Sequence, residues 1–185
     1  PGKNLASCDF SGKNLTRAKL TGANLAGANL SGADLSYADL SMGVILTDAN
    51  LTGANLSGAD ASNANLLRSN LADANLSGAN LRRANLTGDN LSGAILTDAI
   101  LEQATLINAN LQNANFNGAN LTGADLTGVM FGNAILDHAT FVSANFSWVG
   151  LVGRDFSGTD LSSADFKGAF LTRSNFEGAN LTGVD

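Results

Sequence analysis

The chain has very little of what active sites are usually made from. Its 185 residues include one cysteine, one histidine, one tryptophan and one proline. The single cysteine, Cys8, cannot form an internal disulfide, so the sequence neither indicates nor excludes an oxidising compartment. We expect Cys8 to be a packed thiol and His138 to be a solvated turn residue, because no further ligand lies at metal-binding spacing from the histidine. The sequence therefore predicts no catalytic residue, no cofactor and no metal site, and the protein is expected not to be an enzyme.

Charge and long apolar runs are also scarce. Charged residues make up 14% of the chain, and ten basic against sixteen acidic residues give a net charge of −6. A negative net charge disfavours direct binding to nucleic acid phosphates and is compatible with a basic partner. No signal peptide, lipidation motif or apolar run of membrane-spanning length is present, so no membrane contact is expected. A cytoplasmic location is the expectation on these grounds, although a targeting segment could have preceded Pro1.

What the sequence has in abundance is a period of five residues. A large apolar residue, called the repeat centre below, occurs at every fifth position from Leu5 to Leu40 and again from Leu46 to Leu181. Of the thirty-six centres, only Ala61 is neither leucine nor phenylalanine. The residue two positions before each centre is nearly always alanine, which gives one large and one small inward residue per repeat. In a helix, apolar residues spaced five apart would point to all sides instead of forming one apolar stripe. Helix is therefore excluded.

The residues between the centres predict tight turns. The second residue after each centre is Gly, Asn or Asp in twenty-four of the thirty-six repeats. These residues tolerate the positive φ that the third position of a type II turn requires. If each turn redirects the chain by about a right angle, four repeats close one square coil, and coils stack at the strand spacing of about 4.8 Å. The prediction is one all-β solenoid domain over residues 1–185, with about nine four-sided coils and one inserted residue near 41–44.

The segments ANLSGADLSYADL and GANLTGADLTG resemble the A(D/N)LXX signature of the pentapeptide repeat family. The resemblance extends over essentially the whole chain. It implies a right-handed quadrilateral β-helix, and so supplies a handedness that the spacing alone leaves open. The family motif is structural and carries over no catalytic residue.

The quinolone-resistance branch of that family implies an alternative function. The chain is similar to its acidic rods, which mimic duplex DNA and bind DNA gyrase or topoisomerase IV. Two departures count against this alternative. The acidic residues here are spread over all four faces and are interrupted by basic ones, and the long projecting loops of many members of that branch are absent.

Stacking of coils also predicts which polar residues are neighbours. The Asn and Asp residues before the centres are expected to form side-chain ladders and turn hydrogen bonds rather than a calcium site. Three opposite-charge pairs fall one coil apart: Lys19 with Asp39, Asp48 with Arg68, and Arg82 with Glu102. Each exposed pair contributes about 0–1 kcal/mol, so these pairs adjust the stability of the rod and do not determine it.

Two charged residues depart from the pattern because they occupy the small inward position. Asp89 lies one coil above Ser69, and Arg154 lies one coil below Ser174. A charge enclosed there is costly unless it is paired or reaches water. We expect the corners to relax so that both head groups reach solvent.

One surface is the candidate functional site. Met130 and Phe170 fall in the outward column that carries asparagine in the earlier coils, Trp148 falls at an adjoining corner, and Val152 lies next to it. We call these four residues the apolar patch. Exposed apolar clusters on polar surfaces indicate protein contacts, although Trp148 lying flat over the neighbouring glycines as local packing is an equally open interpretation. The favoured function is a non-enzymatic scaffold or interaction module with an unidentified protein partner.

The two ends of the solenoid differ in charge. Lys3 and Lys13 place charge at inward positions of the first coil and discourage stacking there. No such charge lies near Leu181. Because unpaired coil edges invite association, we expect weak self-association through the C-terminal coil.

Overall fold

A computed structural model describes residues 2–185 and shows a β-solenoid assembled from single-residue bridges. The residue before each centre pairs in parallel with the residue one coil further on, as Asn65 does with Asn85 and Asn85 with Thr105. Within residues 2–185 no strand extends beyond one bridged residue and no helix forms. That part of the chain accordingly has no helix that could cross a membrane.

Each corner other than the one at residues 41–43 is a four-residue turn closed by one hydrogen bond. The N–H of the small residue donates to the carbonyl of the preceding centre, as Ala79 does to Leu76 at 3.0 Å. The third turn residue has positive φ, 63° at Gly78, which is the sign that a type II turn requires. Residues with side chains adopt the same conformation, among them Arg83 with φ of 57°. The stacked coils therefore impose this turn even where the residue disfavours it.

The bridges divide the surface into four faces, each a column of outward residues. Face 1 begins at Asn4, face 2 at Asp9, face 3 at Asn14 and face 4 at Lys19. Outward residues on one face are twenty positions apart, so a face is a stack of residues from every coil. Each face receives the same five-residue unit once per coil.

The inserted residue is absorbed at one corner. Asn24 bridges Ile45, an offset of twenty-one residues, whereas the offset returns to twenty from Ile45 to Asn65. The extra residue lies in a three-residue turn at 41–43, where Met42 and Gly43 both have positive φ. The four faces continue in register beyond it.

Leucine, alanine and phenylalanine fill the interior. Most centres from Leu25 onward are fully buried. Toward the C-terminus phenylalanine often replaces leucine, and the rings of Phe146 and Phe166 stack with centroids 4.9 Å apart, as those of Phe156 and Phe176 do at 5.4 Å. Burial of each large side chain contributes about 1.5–3 kcal/mol, so repeated apolar burial is the principal stabilising contribution.

The Asn and Asp residues of the faces form the expected ladders. The Oδ1 atom of Asn90 accepts the N–H of Ser92 at 3.2 Å, and its side-chain amide donates to Oδ1 of Asn70 at 3.1 Å. The same two bonds recur along the faces. Residues 2–185 contain no group of three or more His, Cys, Asp or Glu side chains that could hold a metal ion.

Two of the three stacked charge pairs form. Arg68 makes a bidentate contact with Asp48 at 2.9 and 3.0 Å. Arg82 contacts Glu102 at 2.6 Å. The twenty-residue stacking predicted for these pairs is confirmed.

The third pair is stacked at the predicted offset, but its contacts differ from those of the other two. Lys19 and Asp39 are bridged neighbours on face 4, yet their side chains form no ion pair. The hydroxyls of Ser41 and Thr21 donate to Asp39 at 2.6 and 2.8 Å, and these bonds hold the pKa of Asp39 below its usual value. The carboxylate is therefore already satisfied without the lysine.

Asp89 also contradicts the sequence-based expectation, because it does not reach solvent. Its residue is 1% exposed. The N–H of Ser69 donates to one carboxyl oxygen at 2.8 Å and the Ser69 hydroxyl to the other at 3.2 Å, so the polar group is satisfied inside the rod. Burial raises the pKa of Asp89 to about 8, against the opposing effect of the bonds from Ser69. The carboxyl group is therefore mostly protonated at neutral pH.

Both ends of the described chain leave the core partly open. A cleft of about 220 Å³ lies at the first coil between the side chains of Leu5, Phe10 and Leu20. Leu181 in the last coil is 44% exposed. Self-association through the last coil stays a prediction.

Candidate functional site: the apolar patch and the seam

The structure brings the residues of the apolar patch to one side of the rod. Met130 and Phe170 lie in the column of face 2 with Gly150 between them, and Trp148 and Val152 lie at the corners on either side of Gly150. Their exposures are 49% for Met130, 65% for Trp148, 56% for Val152 and 64% for Phe170. Earlier residues of the same column are Asp9 followed by ladder asparagines. The patch is thus an apolar interruption of a polar face.

Trp148 is packed on one side and exposed on the other. A β-carbon placed on Gly168 would lie 2.7 Å from Cε3 of the Trp148 ring, so the ring rests against this glycine. Tyr37 lies over Gly58 in the same way, at 2.6 Å from Cε1. Local packing therefore accounts for one face of the tryptophan. The opposite face remains available for contact.

We expect Gly168→Ala to displace the Trp148 ring. The added methyl group would occupy the position of the ring, so the emission of this single tryptophan should shift to the red as its packed face becomes hydrated. Gly78→Ala is the matched control: Gly78 has the same positive φ, but its added methyl group would meet no atom within 4 Å. Both variants should lose about 1–2 kcal/mol from backbone strain. An unchanged emission spectrum in Gly168→Ala would contradict the packed position of the ring.

The ladder of bridges is interrupted beside the patch. On face 2 the register pair Met130 and Gly150 forms no bridge, and on face 3 the pair Ile135 and Asp155 forms none. Every other register pair of these two faces in residues 2–185 is bridged. We call this gap the seam, with residues 130–138 as its lower rim and residues 150–157 as its upper rim. It lies between two coils whose interior leucines and phenylalanines remain buried.

The seam leaves main-chain groups unpaired. Within residues 2–185, the following N–H groups donate to no protein acceptor: on the lower rim Phe131, Asn133, Leu136 and His138, and on the upper rim Gly150 and Asp155. The carbonyl groups that would accept these bonds in a regular coil lie on the facing rims. Both donors and acceptors are therefore free along two consecutive faces.

The turn at the lower rim differs from the other described turns. Gly132, the first residue after its centre, has φ of 47°, whereas in the regular turns of the described residues positive φ falls on the second residue after the centre. Gly132 is the only glycine in the chain at this first position. The change reorients the peptide between Gly132 and Asn133, and the N–H of Asn113 below it donates to no backbone carbonyl of residues 2–185.

Arg154 lies in the seam. It occupies the small inward position, with Ala134 in the coil below, and it lines a cleft of about 330 Å³ that opens to solvent. Its side chain is half-buried, and it forms no hydrogen bond or ion pair with residues 2–185. Ser174, the residue above it, instead donates its hydroxyl to the Leu151 carbonyl at 2.7 Å. The expected relaxation of this corner therefore takes the form of an opening between coils.

Two carboxylates also line the cleft. Asp155 is exposed and accepts the N–H of Ser157 at 2.8 Å and the side-chain amide of Asn175 at 3.1 Å. These bonds, the Ser157 one first, hold the pKa of Asp155 below its usual value. Asp137 is exposed as well. Both acids line the same cleft as Arg154, and neither forms an ion pair with it in residues 2–185.

The repeat pattern extends over the whole length of this fold, and known proteins share it. The profile of the family described as pentapeptide repeats matches eight copies, within residues 4–36, 14–42, 43–88, 90–123, 119–153 and 154–185. The chain belongs to the pentapeptide repeat family. No curated protein matches it significantly.

Solved structures of other pentapeptide repeat proteins resemble the chain. HetL from Nostoc sp. strain PCC 7120, involved in heterocyst differentiation regulation, is 29% identical over 99% of this chain and 86% of its own, with a TM-score of 0.37. Rfr23 from Cyanothece 51142 is 43% identical over 49% of this chain and 58% of its own, with a TM-score of 0.42. A trypsin-treated variant of QnrB1, a plasmid-mediated fluoroquinolone resistance protein, is 23% identical over 97% and 91%, with a TM-score of 0.43. At these TM-scores the likeness carries no functional argument.

Proposed function

We propose that the chain is a non-enzymatic scaffold that captures a protein partner through the apolar patch. The observation that supports this proposal is the exposure of Met130, Trp148, Val152 and Phe170 on a face otherwise lined with ladder amides. Tryptophan and other large apolar side chains at the centre of an interface supply most of its binding free energy. The proposed scaffold is a right-handed quadrilateral rod of about nine coils, whose filled interior offers no enclosed substrate pocket.

Replacement of Trp148 and Phe170 by serine should abolish capture of the partner while leaving the free energy of unfolding within about 1 kcal/mol of the parent, because exposed side chains contribute little to the core. Capture is measured by pull-down with the purified rod and mass spectrometry, and stability by denaturant unfolding. The matched control replaces Tyr37 and Ile95 by serine, two residues that are 63% and 43% exposed and lie outside the patch. This control should retain the partner. Capture by the Trp148 and Phe170 variant would refute the patch as the binding surface.

An acidic rod that binds DNA gyrase or topoisomerase IV is the alternative function. The net charge of −6 supports it, together with exposed carboxylates such as Asp60 on face 4. Two observations weigh against it: Asn and Ile residues interrupt the carboxylates along face 4, and the Arg68 and Arg82 ion pairs neutralise part of the charge. A gyrase supercoiling assay separates the two functions, since inhibition by the purified rod would favour the alternative.

A further inference from the structure

We propose that the seam binds an extended peptide segment of the partner, which pairs its main chain with the rims and places an acidic side chain against Arg154. The proposal rests on the proposed function for the location of the partner and adds the chemistry of the segment that is recognised. It is carried by three features: the unpaired main chain, an arginine side chain without an ion-pair partner in residues 2–185, and the apolar residues beside the opening.

The first feature is the arrangement of main-chain groups. Free N–H groups at Phe131 and Leu136 on the lower rim face free carbonyls on the upper rim, and the N–H groups of Gly150 and Asp155 face the lower rim. An added strand satisfies donors and acceptors together and reads alternate side chains on its two sides. A small anion would use the donors alone and leave the carbonyl groups unpaired. The mixture of free groups therefore fits a peptide better than an inorganic anion.

The second feature is Arg154. The residue is half-buried and its side chain has no ion-pair partner in residues 2–185, whereas Arg68 and Arg82, each of which has an acidic neighbour one coil away, are paired with carboxylates. A planar guanidinium binds a carboxylate through two parallel hydrogen bonds, and a partly desolvated site strengthens them. The inward side chain of a bound strand is consequently expected to be Glu or Asp.

The third feature is the apolar border. Ile135 is 46% exposed on the lower rim and Val152 is 56% exposed beside the upper rim, next to the rest of the apolar patch. Outward-facing side chains of the bound segment would contact these residues, so large apolar residues should flank its acidic position. The recognised segment is an extended peptide with an acid between two apolar residues.

The experiment selects peptides from a displayed library of random nonamers on the parent protein and then removes those that also bind Arg154→Ala. Alanine is the usual residue at this position, so this variant should fold, close the seam and slow hydrogen exchange at the Phe131, Leu136 and Asp155 amides. The selected peptides should contain Glu or Asp flanked by apolar residues. Recovery of no peptide that depends on Arg154 would overturn the proposal.

Two chemical variants of the selected peptide test its two kinds of contact. Exchanging its acid for the amide should weaken binding about tenfold, and Arg154→Gln, which keeps the bulk of the side chain, should produce the same loss. N-methylation at alternate residues should abolish binding, because it removes main-chain donors. Undiminished binding of the N-methylated peptide would overturn strand addition.

The proposed function is judged separately. If the Trp148 and Phe170 variant loses the partner while Arg154→Ala and Arg154→Gln both retain it, the seam is not the docking site and the apolar patch alone binds. If all three variants retain capture, both proposals fail.

Discussion

Replacing Asp89 by alanine, together with Ser69→Ala to remove the hydroxyl left without a partner, should abolish most of the pH dependence of stability between pH 5 and pH 8. In the parent protein the folded-state pKa of Asp89 is raised from 3.8 to about 8. Between these values the unfolded chain has released its proton and the folded chain retains it. Stability therefore falls as pH rises, by about 1.4 kcal/mol per pH unit, and this loss is complete above about pH 8.

The measurement is the free energy of unfolding by denaturant at intervals of pH, for the parent and for the double variant. Asp160→Ala is the control, because the N–H of Ser162 lowers the pKa of that half-buried carboxylate, so its effect on stability falls in the acid range. The control should keep the slope of the parent between pH 5 and pH 8. Parallel curves for the parent and the double variant would show that Asp89 is ionised in the folded rod at neutral pH, contrary to its enclosure beside Ser69.

Leu121→Ala should cost about 2–5 kcal/mol through the cavity that it leaves between coils. Leu121 is 1% exposed and occupies a central coil on face 4. Leu181→Ala is a matched control, since it makes the same substitution in the same column at a position that is 44% exposed. It should cost less than about 1 kcal/mol.

Denaturant unfolding of the two leucine variants decides whether the interior carries the stability. In a solenoid each coil contacts only its neighbours, so the loss at Leu121 should first appear as faster hydrogen exchange in the adjoining coils. Equal losses at Leu121 and Leu181 would mean that the stacked leucines do not form the stabilising core.

The stacking of coils could be predicted from the sequence because it depends on a strict spacing. Leucine at every fifth position requires four repeats per coil once the turns are tight, and the twenty-residue offset then places Arg68 beside Asp48. Lys19 and Asp39 obey the same offset, but offset alone does not select a hydrogen-bonding partner. The hydroxyls of Thr21 and Ser41 donate hydrogen bonds to Asp39 instead.

The candidate site was predictable only in part. The apolar patch follows from residue type and column, and its exposure follows from its outward position. The enclosure of Asp89 depends on two bonds from Ser69, whose geometry the spacing does not specify. The seam coincides with a turn in which Gly132 and not Asn133 takes positive φ, a choice that the residue types leave open. The signal that could have indicated it is the single glycine in the first turn position, one coil before the inward Arg154.

The hydrogen bonds of the Asn ladders run in one direction along the rod. Each side-chain amide donates toward the N-terminal end, as from Asn29 to Asp9 and from Asn180 to Asp160, both at 3.1 Å. The amide dipoles of a ladder are therefore aligned, with donors facing the first coil and oxygens facing the last. Lys3, Lys13 and Lys19 add positive charge at the donor end. The two ends of the rod therefore differ in hydrogen-bonding character. Two copies that meet end to end continue every ladder only when the oxygen end of one faces the donor end of the other.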